Sequence, residues 1–102
     1  MEQKPLNLNI FAPIISEKQQ GEEVYSLIQS LEPNKNKVVI DFSSIKAMTT
    51  FCAKQIFGKL YIELTANVFY ENIILKNVSE DVKFSISFGI KSAIKDSLQS
   101  QS

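Results

Sequence analysis

Apolar residues recur along this chain in three stripes with helical spacing. The members of each stripe lie three or four residues apart, which places them on one face of an α-helix. The first stripe consists of Val24, Leu27, Ile28 and Leu31, the second of Cys52, Ala53, Ile56, Phe57, Leu60 and Leu64, and the third of Val82, Ile86, Ile90, Ala93, Ile94 and Leu98. The pattern predicts three amphipathic helices that share one core.

The ends of the first helix are marked by residues of known capping preference. Ser16 and Gln19 have the spacing of a capping box, and Pro33 closes the segment. Because glycine weakens a helix, Gly21 or the following residue is the predicted start of the regular helix. The prediction is a helix within residues 16–31.

The two later helices have cap candidates of their own. Thr49 or Thr50 can cap the second helix, and Ser79, or Asn77 with Glu80, can cap the third. Residues 82–90 also alternate in polarity as a strand does, but the length of the segment and the continuation of the helical stripe favour a helix.

Three shorter apolar runs predict strands. The first covers residues 6–12 and alternates with asparagine, and the second, 38–42, is interrupted only by Asp41, as in a strand buried on both faces. The third is 73–75, reached by a connection over 67–72. Strands and helices then alternate along the chain, which predicts an α/β fold with a largely parallel sheet and helices packed on it.

Composition narrows the class of protein. The 102 residues contain 11 basic and 11 acidic side chains, no histidine and one cysteine. We expect a single domain over 1–102, with an ordered core at 5–98 and a frayed tail at 99–102. Without histidine, the usual zinc sites and the Ser-His and Cys-His dyads are excluded, so no catalytic or metal site is predicted.

Several partner classes are also disfavoured. The three glycines are isolated, so there is no phosphate-binding loop and no cofactor is expected. Balanced charge argues against nucleic acid, and the apolar runs are too short to span a membrane. With no secretory signal, we expect a cytoplasmic protein, and the excess of Lys, Asn and Ile over Arg suggests a bacterium with an AT-rich genome.

Candidate chemistry lies where the predicted strands end, because loops at the carboxyl ends of parallel strands usually meet ligands and partners. Here the rim includes residues 43–50 and 76–79. Asp41 is either a structural acid that accepts hydrogen bonds or the acid of a site. The hydroxyls of Ser43, Ser44, Thr49 and Thr50 serve either capping and turns or a phosphate or bound anion at a helix start.

The remaining reactive and aromatic residues allow two interpretations each. Cys52 lies in the first helical turn, where a thiolate is favoured, but also on the apolar stripe, which indicates a packed residue. The aromatic residues exceed what three stripes need, so they fill the core beneath 67–72 or form an exposed patch for a partner or a homodimer. These are Phe51, Phe69, Tyr70, Phe84 and Phe88.

The stretch 38–60, V-V-I-D-F-S-S-I-K-A-M-T-T-F-C-A-K-Q-I-F-G-K-L, resembles the STAS-like domain family of unknown function, which is related to the anti-sigma factor antagonists. The match continues at 74–79, spans about 6–98 and is strongest in the middle third. The residues that make up the match are Val38, Val39, Ile40, Asp41, Phe42, Ile45, Thr49, Thr50, Ile56, Phe57, Gly58 and Leu60.

The resemblance implies a regulatory module that is not an enzyme and that binds a histidine-kinase-like ATPase or an anti-sigma-type switch protein. In the antagonists, a serine opening the second helix is phosphorylated. Aligned without a gap, Thr49 falls on their aspartate, Thr50 on one serine and Phe51 on the phosphorylated serine. Phe51 has no hydroxyl, so the candidate phosphoacceptors are the neighbouring residues Thr50 and Thr49.

The predicted partner surface combines the strand-to-helix rim with the exposed face of the second helix. Its residues are Ser43, Ser44, Thr49, Thr50, Lys54 and Lys59. Two other functions remain open: a small-ligand or anion sensor that uses the same rim, and a subunit that assembles with itself through the surplus phenylalanines.

Overall fold

The computed structural model describes residues 2–99 and has a three-stranded parallel sheet at its centre, in the order β1-β3-β5. Along the chain the elements are β1 (Gln3–Asn7), a 3₁₀ turn (Asn9–Phe11), β2 (Ile14–Ile15), α1 (Lys18–Ser30), β3 (Lys37–Asp41), β4 (Ala47–Met48), α2 (Thr50–Ala53), a π-helical segment (Lys54–Gly58), α3 (Lys59–Leu64), α4 (Ala66–Asn72), β5 (Ile73–Lys76) and α5 (Glu80–Gln99). The α/β fold with a parallel sheet is confirmed. We call the continuous run of α2, the π-helical segment and α3 the second helix.

The predicted stripes form most of the interior, although Leu27 and Leu98, which were placed on the first and third stripes, are 36% and 65% exposed. Val24 and Ile28 of α1, most of the second helix's stripe and Val82 of α5 are fully buried around Phe42 and Phe57, whose rings lie 6.1 Å apart. α5 and the second helix approach closely at Gly89 and Gly58. A Cβ on Gly89 would lie 2.5 Å from the backbone nitrogen of Lys54, and a Cβ on Gly58 would lie 2.9 Å from the carbonyl oxygen of Gly89. The π-helical segment begins at this crossing.

The first strand differs from its prediction. β1 ends at Asn7, because the side chain of Asn7 accepts a hydrogen bond from the backbone N–H of Asn9 (2.8 Å) and turns the chain into the 3₁₀ turn. Leu8 stays buried, but Ile10 is 80% exposed. The alternation of apolar and polar residues therefore continues past the end of the strand.

The start of α1 also differs. Its N-cap is Glu17, and the capping box joins Glu17 to Gln20, one residue later than predicted. The side-chain Oε1 of Gln20 accepts from the backbone N–H groups of Ser16 (2.9 Å) and Glu17 (3.0 Å). The regular helix begins at Lys18, ahead of Gly21, because this capping box holds its first turn, and Gly21 leaves the space that the Gln55 side chain occupies.

The predicted connection at 67–72 is instead the helix α4. Thr65, with a φ of 73°, ends α3 and redirects the chain. Phe69 is buried edge-to-face against Tyr61 (5.4 Å between centroids), and the buried Asn72 donates to the carbonyl of Pro33 (2.8 Å). These distant contacts stabilise a helix that is too short to form alone.

The remaining predictions for the second half of the chain are largely confirmed. Thr49 caps the second helix, β5 includes 73–75, and Ser79 caps α5 through the backbone N–H of Val82 (3.2 Å). A second sheet pairs β2 with β4 in parallel, two residues each, and was not predicted. Gln99 ends α5, whereas the rest of the predicted tail, 100–102, lies outside the described residues. No helix within 2–99 is long and apolar enough to cross a membrane.

Candidate functional site

Polar side chains at the carboxyl ends of the central strands form a hydrogen-bonded group around Asp41. In the sheet, Asp41 pairs in register with Asn7 on one side and Lys76 on the other. Its Oδ1 accepts from the backbone N–H of Ser43 (2.9 Å) and from Nδ2 of Asn77 (3.2 Å). We call Asp41, Ser43, Ser44, Asn77, Asn7 and Asn9 the Asp41 network.

These contacts favour the charged form of the carboxylate. The backbone N–H of Ser43 is the largest cause, followed by the Asn77 amide, and they hold the pKa of Asp41 below its ordinary value. Lys76 contributes in the same direction through its positive charge. Asn77 adopts a φ of 56°, so the contact also holds the turn that leads from β5 to α5.

The two serines of the rim belong to this network. Ser44 Oγ donates to Oδ1 of Asn9 (2.6 Å), which links the loop after β3 to the loop after β1. Ser43 is exposed and contributes its backbone N–H to Asp41. Three loops are thereby tied together at one edge of the sheet.

The start of the second helix is arranged differently. Thr49 Oγ1 accepts from the backbone N–H of Cys52 (3.1 Å), as expected for an N-cap. Thr50 follows on the surface, and within the described part of the chain its hydroxyl makes no hydrogen bond. Phe51 comes next and is 56% exposed. A free hydroxyl and a large exposed aromatic ring therefore lie side by side in the sequence at a helix start.

Phe51 lies along a groove of about 480 Å³ between α1, the second helix and α5. We call it the Phe51 groove. Lys54 Nζ is hydrogen-bonded to the carboxylate of Asp96, and Lys59 Nζ lies 4.3 Å from the centre of the Tyr25 ring. The groove is lined by Lys18, Phe51, Lys54, Gln55, Lys59, Ala93 and Asp96. It thus combines apolar area with three lysines and one carboxylate.

Cys52 faces the start of α1. It is fully buried, and its Sγ lies 3.4 Å from the carbonyl oxygen of Glu17, to which it donates a weak hydrogen bond. Among residues 2–99, no three histidine, cysteine, aspartate or glutamate side chains are grouped so that they could hold a metal ion.

Comparison with known proteins assigns the family. The family model described as a STAS-like domain of unknown function (DUF4325) matches residues 20–83, more than half of the chain. The chain belongs to the STAS-like domain family. The match runs from α1 to the first turn of α5 and contains the start of the second helix. No curated protein and no solved structure matches the chain.

In this STAS-like domain, the predicted partner residues divide between two places. Ser43 and Ser44 lie in the Asp41 network, whereas Lys54 and Lys59 line the Phe51 groove next to the threonine pair. No hydrogen bond within 2–99 joins the two serines to the threonines. The predicted rim residues therefore belong to two separate groups of contacts.

The predicted partner surface at 43–59 did not include Phe51, which was named only among the surplus aromatic residues, or Lys18. Phe51 could have been found, since it falls off the helical stripe that begins at Cys52 and so had to face away from the core. No sequence signal pointed to Lys18, because only the packing of α1 beside the second helix places it in the groove.

Of the surplus aromatic residues, the structure buries one. Phe69 is 3% exposed on the buried face of α4, whereas Phe51, Tyr70, Phe84 and Phe88 are each more than half exposed. Phe69 therefore fills the core, as the first interpretation expected, and the other four residues are on the surface.

Proposed function

We propose that this STAS-like domain is a non-catalytic regulatory module that binds a partner protein at the Phe51 groove. The observation that carries the proposal is the exposure of Phe51 beside the free hydroxyl of Thr50. Aromatic residues at the centre of an apolar surface with a charged rim are typical anchors of protein interfaces. Lys18, Lys54 and Lys59 provide that rim. Lys54 is paired with Asp96, whereas Lys18 and Lys59 form no ion pair within 2–99 and favour a partner with acidic groups.

The environment of the possible nucleophiles supports binding rather than catalysis. A hydroxyl or thiol nucleophile needs an adjacent base or a strongly lowered pKa. Cys52 is buried with its thiol against a backbone carbonyl, and the Thr50 hydroxyl has no base within hydrogen-bonding distance among residues 2–99. These groups can contact a partner or accept a phosphate without carrying out chemistry themselves.

Thr50 is the proposed phosphoacceptor, ahead of Thr49. The Thr49 oxygen is already engaged as the helix cap, whereas Thr50 is exposed with a free hydroxyl. A phosphate there adds a charge of about −1.5 to −2 next to Phe51 and close to free N–H groups of the first helical turn. Such a charge changes the affinity for a partner that contacts the groove, and a histidine-kinase-like ATPase or an anti-sigma-type switch protein is the proposed partner class.

The test is a quantitative capture of partners from the host lysate with matched variants. Phe51→Ala removes the proposed anchor, and Ile62→Ala, an exposed apolar residue farther along the same helix (43% exposed), is the control. We expect a histidine-kinase-like ATPase or switch protein that binds the parent and Ile62→Ala but is lost with Phe51→Ala. Equal recovery with both variants, or no protein of this class, contradicts the proposal.

The phosphate is tested separately by intact mass of the recovered chain. We expect one phosphate on the parent and on Thr49→Ser, and none on Thr50→Ala. A phosphate that persists in Thr50→Ala, or none on any chain recovered with its partner, would contradict the assignment to Thr50 while leaving the binding surface in place.

A further inference from the structure

The outward face of α5 carries an exposed aromatic pair. Phe84 and Phe88 are 67% and 52% exposed, and their ring centroids lie 6.3 Å apart. They point away from the face that buries Val82, Ile86 and Ile90. Two adjacent phenylalanines with this exposure are an apolar patch that a neighbouring surface can cover.

Charged residues continue the same stripe on both sides of the pair. Asp81, Phe84, Phe88, Lys91 and Lys95 follow one another at intervals of three, four, three and four residues, which is the spacing of a coiled-coil seam. All five are exposed, and within 2–99 no ion pair engages Asp81, Lys91 or Lys95. The stripe is therefore acidic at its N-terminal end, aromatic in the middle and basic at its C-terminal end.

We propose that this face binds a second copy of the chain, with the two α5 helices antiparallel. A two-fold interface needs a surface that is complementary to itself. An antiparallel arrangement that pairs Phe84 with Phe88 of the second copy also brings Asp81 opposite the second copy's Lys91, and the symmetry repeats both contacts. Shifting the register by one heptad instead places Phe88 opposite Lys91, so the charge pattern selects one register.

The interface is distinct from the proposed partner surface. Asp96, which pairs with Lys54 in the Phe51 groove, projects from a different side of α5 than the aromatic pair. A dimer can therefore form while the groove stays open, and this inference does not depend on the proposed function. Because one helix pair buries little area, we expect a weak dimer with a Kd in roughly the micromolar range.

A charge exchange tests the register directly. By sedimentation equilibrium, we expect Asp81→Lys and Lys91→Glu each to weaken dimerisation at least about tenfold, because each places like charges opposite each other twice. Mixing the two single variants, or combining both changes in one chain, restores opposite charges and recovers the dimer. Failure of both the mixture and the double variant to recover it would overturn the antiparallel arrangement.

The aromatic pair is tested with its own control. Phe88→Ala is expected to lower the dimer affinity at least about tenfold, whereas Ile10→Ala, which changes an even more exposed apolar residue on the 3₁₀ turn, leaves it unchanged. A parent chain that stays monomeric at a concentration of about 500 µM overturns the proposal. Binding of that monomer to vesicles of anionic lipid, lost in Phe88→Ala, would assign the face to a lipid surface instead.

Discussion

The Asp41 network and the Phe51 groove contain residues that the sequence grouped into one rim, yet they differ in how those residues are used. In the network, the Asp41 carboxylate and the Ser44 hydroxyl have partners in their own chain. Beside the groove, the Thr50 hydroxyl has none within 2–99, and Phe51 is more than half exposed. The polar residues at the strand ends therefore hold the loops together. The groups that have no partner in this part of the chain, the Thr50 hydroxyl and the Phe51 ring, lie at the start of the second helix.

This difference separates stability from binding. Changing a residue whose hydrogen bonds are made within the chain lowers the stability of the fold. Changing an exposed residue without such partners instead removes interactions with another molecule. The following changes are ordered by the size of their expected effect, and each tests the separation at one position.

The two phenylalanines of the second helix give the largest contrast. Phe57 is fully buried against Phe42, and Phe57→Ala is expected to lower the free energy of unfolding by about 3–5 kcal/mol. Phe51→Ala is expected to change it by less than about 0.5 kcal/mol. Urea denaturation of both variants measures this. A comparable loss for Phe51→Ala would show that Phe51 packs on the fold rather than serving as a free contact.

The adjacent threonines give the next contrast. Thr49→Ala removes the acceptor for the backbone N–H of Cys52, so we expect a loss of about 1 kcal/mol. Thr49→Ser keeps the acceptor and should retain most of that stability. Thr50→Ala is the matched neighbour and should change the stability little. A loss as large as that of Thr49→Ala would show that the Thr50 hydroxyl makes a contact within the fold.

Asp41 is expected to make the stability of the fold depend on pH in the acidic range. Its lowered pKa means that the folded state binds the proton less readily, so its contribution is present at neutral pH and is lost as pH falls below about 4 and through the folded pKa. Asp41→Asn removes this titration. Unfolding midpoints measured from pH 7 down to pH 2 should therefore fall less steeply in the variant, and identical acid profiles would contradict the assigned contacts.

The smallest effect is that of a charge at Thr50. Thr50→Asp places a negative group in the first turn, where the helix dipole favours it by about 0.3–1 kcal/mol at low salt. A small rise in the thermal midpoint that disappears in high salt is the expected result. A fall in the midpoint at low salt would show that this position disfavours a negative group, which would also count against a phosphate there.

Prediction succeeded where the information is local. The stripe from Cys52 to Leu60, the Thr49 cap and the helix after Ser79 depend on residues within a few positions of one another, and the structure contains all three. The first strand was placed too late because its alternation runs on after Asn7 has turned the chain. The alternating pattern predicted a longer strand, but the hydrogen bond between Asn7 and Asn9 determined where the strand ends.

Prediction failed where distant residues decide. β2 and β4 are two residues long and exist only because Ile14 and Ile15 pair with Ala47 and Met48. α4 depends on Phe69 beneath Tyr61 and on Asn72 at the carbonyl of Pro33. Segments this short have too few local contacts to specify their own structure.

By itself, the sequence determined the three amphipathic helices, the strands β3 and β5, the α/β class and the family, because periodicity and motif spacing are properties of neighbouring residues. The tertiary structure alone decided that the rim divides into the Asp41 network and the Phe51 groove, and that Phe69 is covered while Phe51, Phe84 and Phe88 are not. The physical reason is that the exposure of a side chain depends on which elements pack over it, and that packing joins residues far apart in the chain.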